Sequence, residues 1–76
     1  MNIPLEDICN LVSLILGIKQ VSGEDRLQED LGAQSLDVIN IASAVDRKYN
    51  IFLEESALAQ IKTVDDLHRL VQESSN

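Results

Sequence analysis

The 76-residue sequence has few of the residues on which cross-links and compact chemical sites depend. It contains one cysteine, one histidine and no tryptophan, and aromatic residues make up 3% of it. A lone cysteine forms no internal disulfide, and Cys9 with His68 supplies too few ligands for a zinc cage. A chain this short builds one small core, which argues against a deep, enclosed active site. We therefore expect a single domain over residues 1–76, with no metal site.

Long apolar runs are also missing. The longest, from Leu11 to Ile18, is interrupted by Ser13 and Gly17 and falls far short of the roughly 20 residues of a membrane span. Residues 1–7 carry no positive charge and so do not resemble a signal peptide. These features predict a soluble, cytoplasmic protein without a membrane span.

Positive charge is scarce, because six basic residues face thirteen acidic ones and the net charge is −7. The acids cluster in residues 24–34 and 54–76, whereas residues 35–53 are neutral overall. An acidic surface repels phosphate backbones, and two aromatic side chains offer no platform for base stacking. The sequence therefore argues against a nucleic-acid partner and favours a basic protein surface as partner and a monomeric state.

Apolar residues three and four positions apart predict two long helices. The first is expected over about residues 4–16 and to end at Gly17, with a stripe of Leu5, Ile8, Leu11, Val12, Leu14 and Ile15. The second is expected over about residues 35–49 and to end at Asn50, with a stripe of Leu36, Val38, Ile39, Ile41, Ala42 and Val45. Residues 17–34 between them contain all three glycines and predict a long loop held down by Leu27 and Leu31.

Two further helices are expected in the last third of the chain. A short one is predicted at about residues 54–60. The next begins after Thr63, which with Asp66 three residues later forms a capping box, and its stripe comprises Val64, Leu67, Leu70 and Val71. We expect this helix to fray over residues 73–76. The predicted fold class is thus all-α, a four-helix bundle with a long first loop and a short third helix.

Ser35, at the start of the second helix, is the residue most suited to carry chemistry. Serine is a good helix N-cap, although Val38 three residues later is not the partner that a capping box needs. A serine at a helix start also lies where backbone N–H groups favour an attached phosphate, and Gly32 leaves room for a partner. A serine hydrolase is excluded, because the second glycine of a nucleophile elbow is missing and His68 is the sole candidate base.

Three segments together resemble the acyl carrier protein family. Residues 30–37, Asp-Leu-Gly-Ala-Gln-Ser-Leu-Asp, resemble its phosphopantetheine attachment motif, usually Asp-Leu-Gly-x-Asp-Ser-Leu-Asp. Residues 38–49 are similar to the second helix of the family, which ends in an aromatic residue, and residues 61–67 to the segment that opens its last helix. The resemblance covers nearly the whole chain.

The resemblance implies that Ser35 accepts 4′-phosphopantetheine from coenzyme A through a phosphopantetheinyl transferase and then carries acyl groups as thioesters, without catalysis by the chain itself. It implies acyl-transferring, condensing or ligating enzymes of a fatty acid, polyketide or other dedicated pathway as further partners. The residues expected to contact the transferase or these partners are Asp30, Gln34, Leu36, Asp37, Asn40, Ser43, Ala44 and Arg47. Those expected to line an acyl pocket are Leu27, Val38, Val45, Leu53, Leu58, Ile61 and Leu67.

Two departures from the family pattern bear on partner choice. Gln34 replaces the aspartate that usually precedes the serine, and the second helix is neutral where the family displays acids. A dedicated pathway whose partners use a less basic, more polar docking surface is one interpretation, and steering by acids at 24–30 and 54–55 is the other. Of the three consecutive apolar residues 51–53, one is expected to be an exposed contact. An unmodified helical interaction module, or a carrier of amino-acyl or aryl groups, stays an alternative.

Overall fold

In the computed structural model, which describes residues 2–75, the chain folds into four helices. They are α1, Leu5–Leu16; α2, Ser35–Tyr49; α3, Glu55–Leu58; and α4, Val64–Ser74. Helix α1 packs against both α2 and α4. The predicted all-α architecture, with a long first connection and a short third helix, is confirmed. No helix within residues 2–75 has the length and apolar character needed to cross a membrane.

The helix ends follow the local backbone signals, with corrections to the predicted bounds of three helices. Helix α1 begins one residue later than predicted because Pro4 is extended, with ψ of 146°. It ends as predicted at Gly17, and α2 at Asn50, both in the left-handed conformation at φ of 70° and 58°.

Helices α3 and α4 account for the other two corrections. Helix α3 is shorter than the predicted 54–60, because the chain after Leu58 turns through Ala59 and Gln60. Helix α4 starts with the predicted capping box, in which Asp66 N–H donates to Thr63 Oγ1 at 3.1 Å. It continues to Ser74 where fraying was expected, and Asn76 lies outside the described residues.

The core is wholly aliphatic and draws on every long element. Its buried side chains are Ile3, Ile8, Leu11, Val12, Leu27, Ala33, Ile41, Val45, Ile51, Leu53, Val64, Leu67 and Val71. The predicted stripes need correction at Leu14, Leu36 and Ile39, which are exposed. The buried side of α2 is centred on Ile41 and Val45, so Leu36 and Ile39 lie on the opposite side of a 3.6-residue helix.

The long loop is held to the connection between α3 and α4 by backbone hydrogen bonds. Leu27 N–H donates to Lys62 O at 2.8 Å, Val64 N–H to Asp25 O at 3.0 Å and Asp65 N–H to Gly23 O at 2.8 Å. A Cβ on Gly23 would lie 2.1 Å from Asp65 Oδ1, so any larger residue there would have to displace the Asp65 side chain. Leu27 is buried and Leu31 packs against the core, as predicted. The loop is therefore a fixed wall beside the start of α2.

Candidate functional site

Ser35 is the first residue of α2, one position further into the helix than a cap. The N-cap is Gln34, whose backbone is extended at φ −97° and ψ 173°. Its N–H donates to Asp37 Oδ2 at 2.9 Å. The interpretation of Ser35 as the N-cap is therefore wrong. The sequence signal for an N-cap at Gln34 is Asp37 three residues later. Glutamine is not among the preferred N-cap residues, so residue preference favoured Ser35 over Gln34. Because Asp37 and Gln34 form the cap, the Ser35 hydroxyl is not needed for it.

The start of α2 suits a negatively charged group. The first bond within the helix runs from Val38 N–H to Gln34 O at 3.1 Å. The N–H groups of Ser35 and Leu36 therefore have no acceptor inside the helix. These N–H groups and the helix dipole attract anions, and Ser35 is exposed to solvent. A phosphodiester on Ser35 would lie in favourable electrostatic surroundings.

Gly32 shapes the approach to Ser35. It has φ of +70°, a conformation that other residues rarely adopt, and a Cβ added there would meet no atom within 4 Å. The turn that it makes is closed by hydrogen bonds from Gly32 N–H to Gln28 O and from Ala33 N–H to Leu27 O. Glycine is therefore required here by backbone conformation, and the space beside it is open.

A cavity of about 620 Å³ opens beside Ser35, between α2, the long loop and α3. It combines an apolar lining with charged residues. The residues around it are Arg26, Leu27, Gln28, Glu29, Ser35, Val38, Ile39, Glu55, Leu58, Ala59, Ile61 and Lys62. The cavity thus brings together the candidate attachment residue and an apolar space that a flexible chain could enter.

The structure divides the seven expected pocket residues into two groups. Four of them border this cavity, namely Leu27, Val38, Leu58 and Ile61. The other three, Val45, Leu53 and Leu67, do not border it and are buried in the core. The reason is geometric, because Val38 is near the start of α2 beside Ser35 whereas Val45 lies two turns further on.

Other residues of the cavity wall were not predicted from the sequence. Among them only Ile39 had a local sequence signal for this position. Ile39 follows Ser35 by four positions, a spacing that places both on one side of a helix. Arg26 and Lys62 reach the cavity because the long loop pairs with the α3–α4 connection through the bridge between Arg26 and Thr63. No local pattern in the sequence indicates that bridge.

The acidic end of the long loop is organised by Arg26. Its guanidinium lies 2.9 Å from Glu29 Oε2 and 3.1 Å from Asp30 Oδ1, and its N–H donates to Asp30 Oδ2 at 2.8 Å. The hydrogen bond from the Arg26 side chain holds the pKa of Asp30 below its usual value. Asp30, an expected partner contact, is exposed and ion-paired.

The expected contacts along α2 are mostly accessible. Leu36, Asn40, Ser43 and Arg47 are exposed, whereas Ala44 is half-buried and packs against the core. Asp37 is also half-buried, in keeping with its capping bond. A partner that approaches α2 near Ser35 therefore meets Leu36 and Asn40, and the exposed carboxylate of the helix, Asp46, lies about three turns further on beside Arg47.

Cys9 and His68 lie away from the Ser35 cavity. Cys9 is half-buried on α1, and burial raises the pKa of its thiol, with smaller contributions from Asp65, Asp25 and Glu6. His68 is half-buried on α4, where its Nε2 lies 2.6 Å from the Ile3 carbonyl oxygen. Because a carbonyl only accepts, Nε2–H is the donor of this bond.

Comparison with known sequences links residues 6–71 to one family model, described as a phosphopantetheine attachment site. The chain is 35% identical over 72 residues to an acyl carrier protein of Shigella flexneri, and the matched region covers 92% of each chain. It is 30% identical over 70 residues to an acyl carrier protein of Prochlorococcus marinus, covering 90% of this chain and 88% of the relative.

Solved structures share the fold. A candidate acyl carrier protein from Mycobacterium tuberculosis superposes with a TM-score of 0.84 at 24% identity, over 91% of this chain and 95% of that one. A chain from the structure of the ishigamide ketosynthase/chain length factor gives a TM-score of 0.76 at 20% identity, over 93% and 92%. At these identities the likeness concerns the arrangement of the helices.

Proposed function

This chain belongs to the acyl carrier protein family, whose members carry covalently attached 4′-phosphopantetheine, and from that premise we propose that Ser35 receives the group. The observation that supports Ser35 is its position. It is exposed on the first turn of α2 and borders the cavity, whose wall is part apolar and part charged. Coenzyme A is the proposed donor, and a phosphopantetheinyl transferase the proposed enzyme.

The residues around Ser35 fit such a group. The free N–H groups at the start of α2 stabilise a phosphate, and the turn at Gly32 leaves the approach open. The Asp37 carboxylate accepts the Gln34 N–H, so the cap of α2 does not depend on the Ser35 hydroxyl. When bound, the group supplies a thiol that holds an acyl chain as a thioester.

We place the acyl chain in the cavity beside Ser35. Leu27, Val38, Leu58 and Ile61 are the proposed lining, and Ile39 joins them. Apolar walls exclude water, so they protect a thioester from hydrolysis while the chain is inside. Val45, Leu53 and Leu67 belong instead to the core and are not part of the proposed lining.

The chain itself is proposed to catalyse nothing and to work as a cytoplasmic monomer. Acyl-transferring, condensing or ligating enzymes of a fatty acid, polyketide or other dedicated pathway are its proposed partners. A condensing enzyme is supported by the structural neighbour from the ketosynthase/chain length factor, although that likeness is one of fold. The neutral α2 supports a dedicated pathway. Family members with acidic residues on the second helix are expected to bind basic surfaces of their partner enzymes, and this chain lacks those acids on α2.

Intact-mass spectrometry after incubation with coenzyme A, magnesium and a broad-specificity phosphopantetheinyl transferase tests the proposal. We expect a gain of one phosphopantetheine in the wild type and in Ser43→Ala, which changes an exposed serine on the same helix. Ser35→Ala should show no gain while its helical circular dichroism stays unchanged. Loading of Ser35→Ala would place the group on another residue, whereas no loading of the wild type would support an unmodified interaction module instead.

A further inference from the structure

We propose that the cavity beside Ser35 receives an acyl chain that ends in a carboxylate, and that Lys62 binds this carboxylate. The inference rests on the proposed function, because the acyl chain would be attached through the group on Ser35. It names the chemical class of the acyl chain, which membership of the family leaves open.

Lys62 is held at the cavity by its backbone. Its N–H donates to Asp66 Oδ2 at 2.9 Å, and its carbonyl oxygen accepts the Leu27 N–H at 2.8 Å. Ile61, the residue before it, belongs to the apolar part of the same wall. Bonds to α4 and to the long loop therefore fix where Lys62 borders the cavity, whereas its side chain is exposed to solvent.

The Lys62 ammonium has no ionic partner within residues 2–75, where the ion pairs are made by Arg26 and Arg69. Arg26 is the other cation of the cavity wall, and its side chain already donates to Glu29 and Asp30. Lys62 is therefore the cation of this wall whose charge is left for a ligand to pair.

The two acids of the cavity wall differ from Lys62 in this respect. Glu29 lies 2.9 Å from the Arg26 guanidinium, so its charge is offset. Glu55 lies in the first turn of α3, where the N–H groups of the helix start favour a carboxylate. Each acid thus has a favourable interaction within the protein, and Lys62 has none. The wall as a whole favours a negatively charged ligand group over a positively charged one.

The mixed wall suits a chain with an apolar stem and an anionic end. Ser35 borders the cavity on α2, and Lys62 borders it on the connection between α3 and α4. A chain attached through Ser35 can therefore lay its methylene groups on the apolar residues between these two positions. A plain alkyl chain would cover the same residues but leave the ammonium unpaired. Partial exclusion of water strengthens an ion pair at the chain end.

Hydrolysis of two loaded thioesters tests this inference. A broad-specificity transferase loads the chain from adipoyl- and hexanoyl-coenzyme A, whose acyl groups have equal numbers of carbons. Each hydrolysis rate is divided by that of the same acyl-coenzyme A in solution. Lys62→Gln is expected to speed hydrolysis of the adipoyl form about threefold, as for the loss of a partly exposed ion pair, and to leave the hexanoyl form unchanged.

Two further variants separate the local charge from the net charge. Lys19→Gln is the matched control, because this exposed lysine lies outside the cavity and should leave both rates unchanged. Glu55→Gln removes a like charge from the wall and should slow hydrolysis of the adipoyl form.

Three results would overturn the inference. Equal adipoyl rates in the wild type and Lys62→Gln would show that Lys62 binds no carboxylate. The same acceleration in Lys19→Gln would assign the effect to net charge. Stronger protection of hexanoyl than of adipoyl in the wild type would assign the cavity to plain alkyl chains. Intact mass before hydrolysis separates the two proposals: complete loading with any of these results overturns this inference alone, and no loading of the wild type overturns both.

Discussion

Ser35 is available for chemistry because its neighbours carry out the structural task at the start of α2. Gln34 and Asp37 close the helix end through the bond between Gln34 N–H and Asp37 Oδ2. Ser35 therefore contributes a hydroxyl, and Gly32 contributes the turn at φ of +70° that precedes it. A serine that also served as the cap would lose a stabilising bond whenever a group was attached. This separation of tasks would let the proposed modification of Ser35 occur without loss of the helix cap.

Tyr49 is the one side chain within residues 2–75 with a buried oxygen that has no hydrogen-bond partner. A buried, unpaired hydroxyl is unfavourable, so Tyr49→Phe is expected to raise the free energy of unfolding by about 1 kcal/mol. Urea unfolding followed by circular dichroism measures the change. Tyr49→Leu is the comparison that also removes ring packing and should lower stability. A loss of stability in Tyr49→Phe would show that the hydroxyl has a partner in solution.

Among the helices, α4 has the most complete start. The N–H groups of Thr63 and Lys62 donate to Asp66 Oδ2 at 3.1 and 2.9 Å. These bonds, that of Thr63 first, hold the pKa of Asp66 below its ordinary value. Because the folded pKa is the lower one, the stabilisation by this carboxylate is complete above the unfolded value of about 3.9. It is lost as the pH falls through the folded value.

Asp66→Asn should therefore lower stability at neutral pH and show a smaller loss on acidification. The expected decrease at pH 7 is about 0.5–1 kcal/mol, as for other carboxylates at helix starts. Urea unfolding between about pH 7 and pH 3 measures it, and the difference from the wild type should shrink below about pH 4. Asp46→Asn is the control, since this exposed residue caps no helix. A difference that is constant with pH would contradict the role assigned to the Asp66 charge.

The sequence predicts the helices better than it predicts which side of α2 is buried. Gly17, Asn50 and the pair Thr63–Asp66 are local signals, and the structure places helix ends at each of them. Leu36 and Ile39 fit a helical apolar stripe equally well, but packing buries the side of Ile41 and Val45. The choice depends on where α1 lies, which no local pattern specifies.

Among residues 51–53 the expected exposed contact is Phe52, which is 75% exposed between two buried neighbours.

The candidate site was predicted in part from the sequence. Ser35, Val38, Leu58 and Ile61 share one cavity as expected, whereas Arg26 and Lys62 join it through backbone pairing between distant segments. Contacts of that kind come from the tertiary fold rather than from a sequence motif.

Across the molecule, the net charge of −7 is divided between elements rather than spread evenly. Acids lie on the long loop, on α3 and at the start of α4, whereas α2 is neutral and exposes Leu36 and Ile39. A basic enzyme would be attracted to the acids of the long loop and α3. It would therefore not be oriented by charge onto α2. The charge distribution therefore favours a partner that differs from those of carriers with an acidic second helix.

We accordingly expect this chain to be a poor substrate for the enzymes of general fatty acid elongation. With the loaded chain as substrate, fatty acid elongation enzymes should give a kcat/KM about tenfold or more below that with their own carrier, because charge complementarity sets encounter rates. The reference is that carrier, loaded by the same transferase. Equal turnover of the two carriers would contradict the dedicated-pathway interpretation.

The most direct test of the account is to locate the prosthetic group by peptide mass spectrometry of the transferase-treated protein. The account predicts one phosphopantetheine, on Ser35, in the peptide that contains the turn at Gly32 and the start of α2. The other exposed serines, Ser22, Ser43 and Ser56, should be unmodified in the same digest. A group on any of them, or an unmodified Ser35 after complete treatment, would contradict the assignment of this helix start as the carrier site.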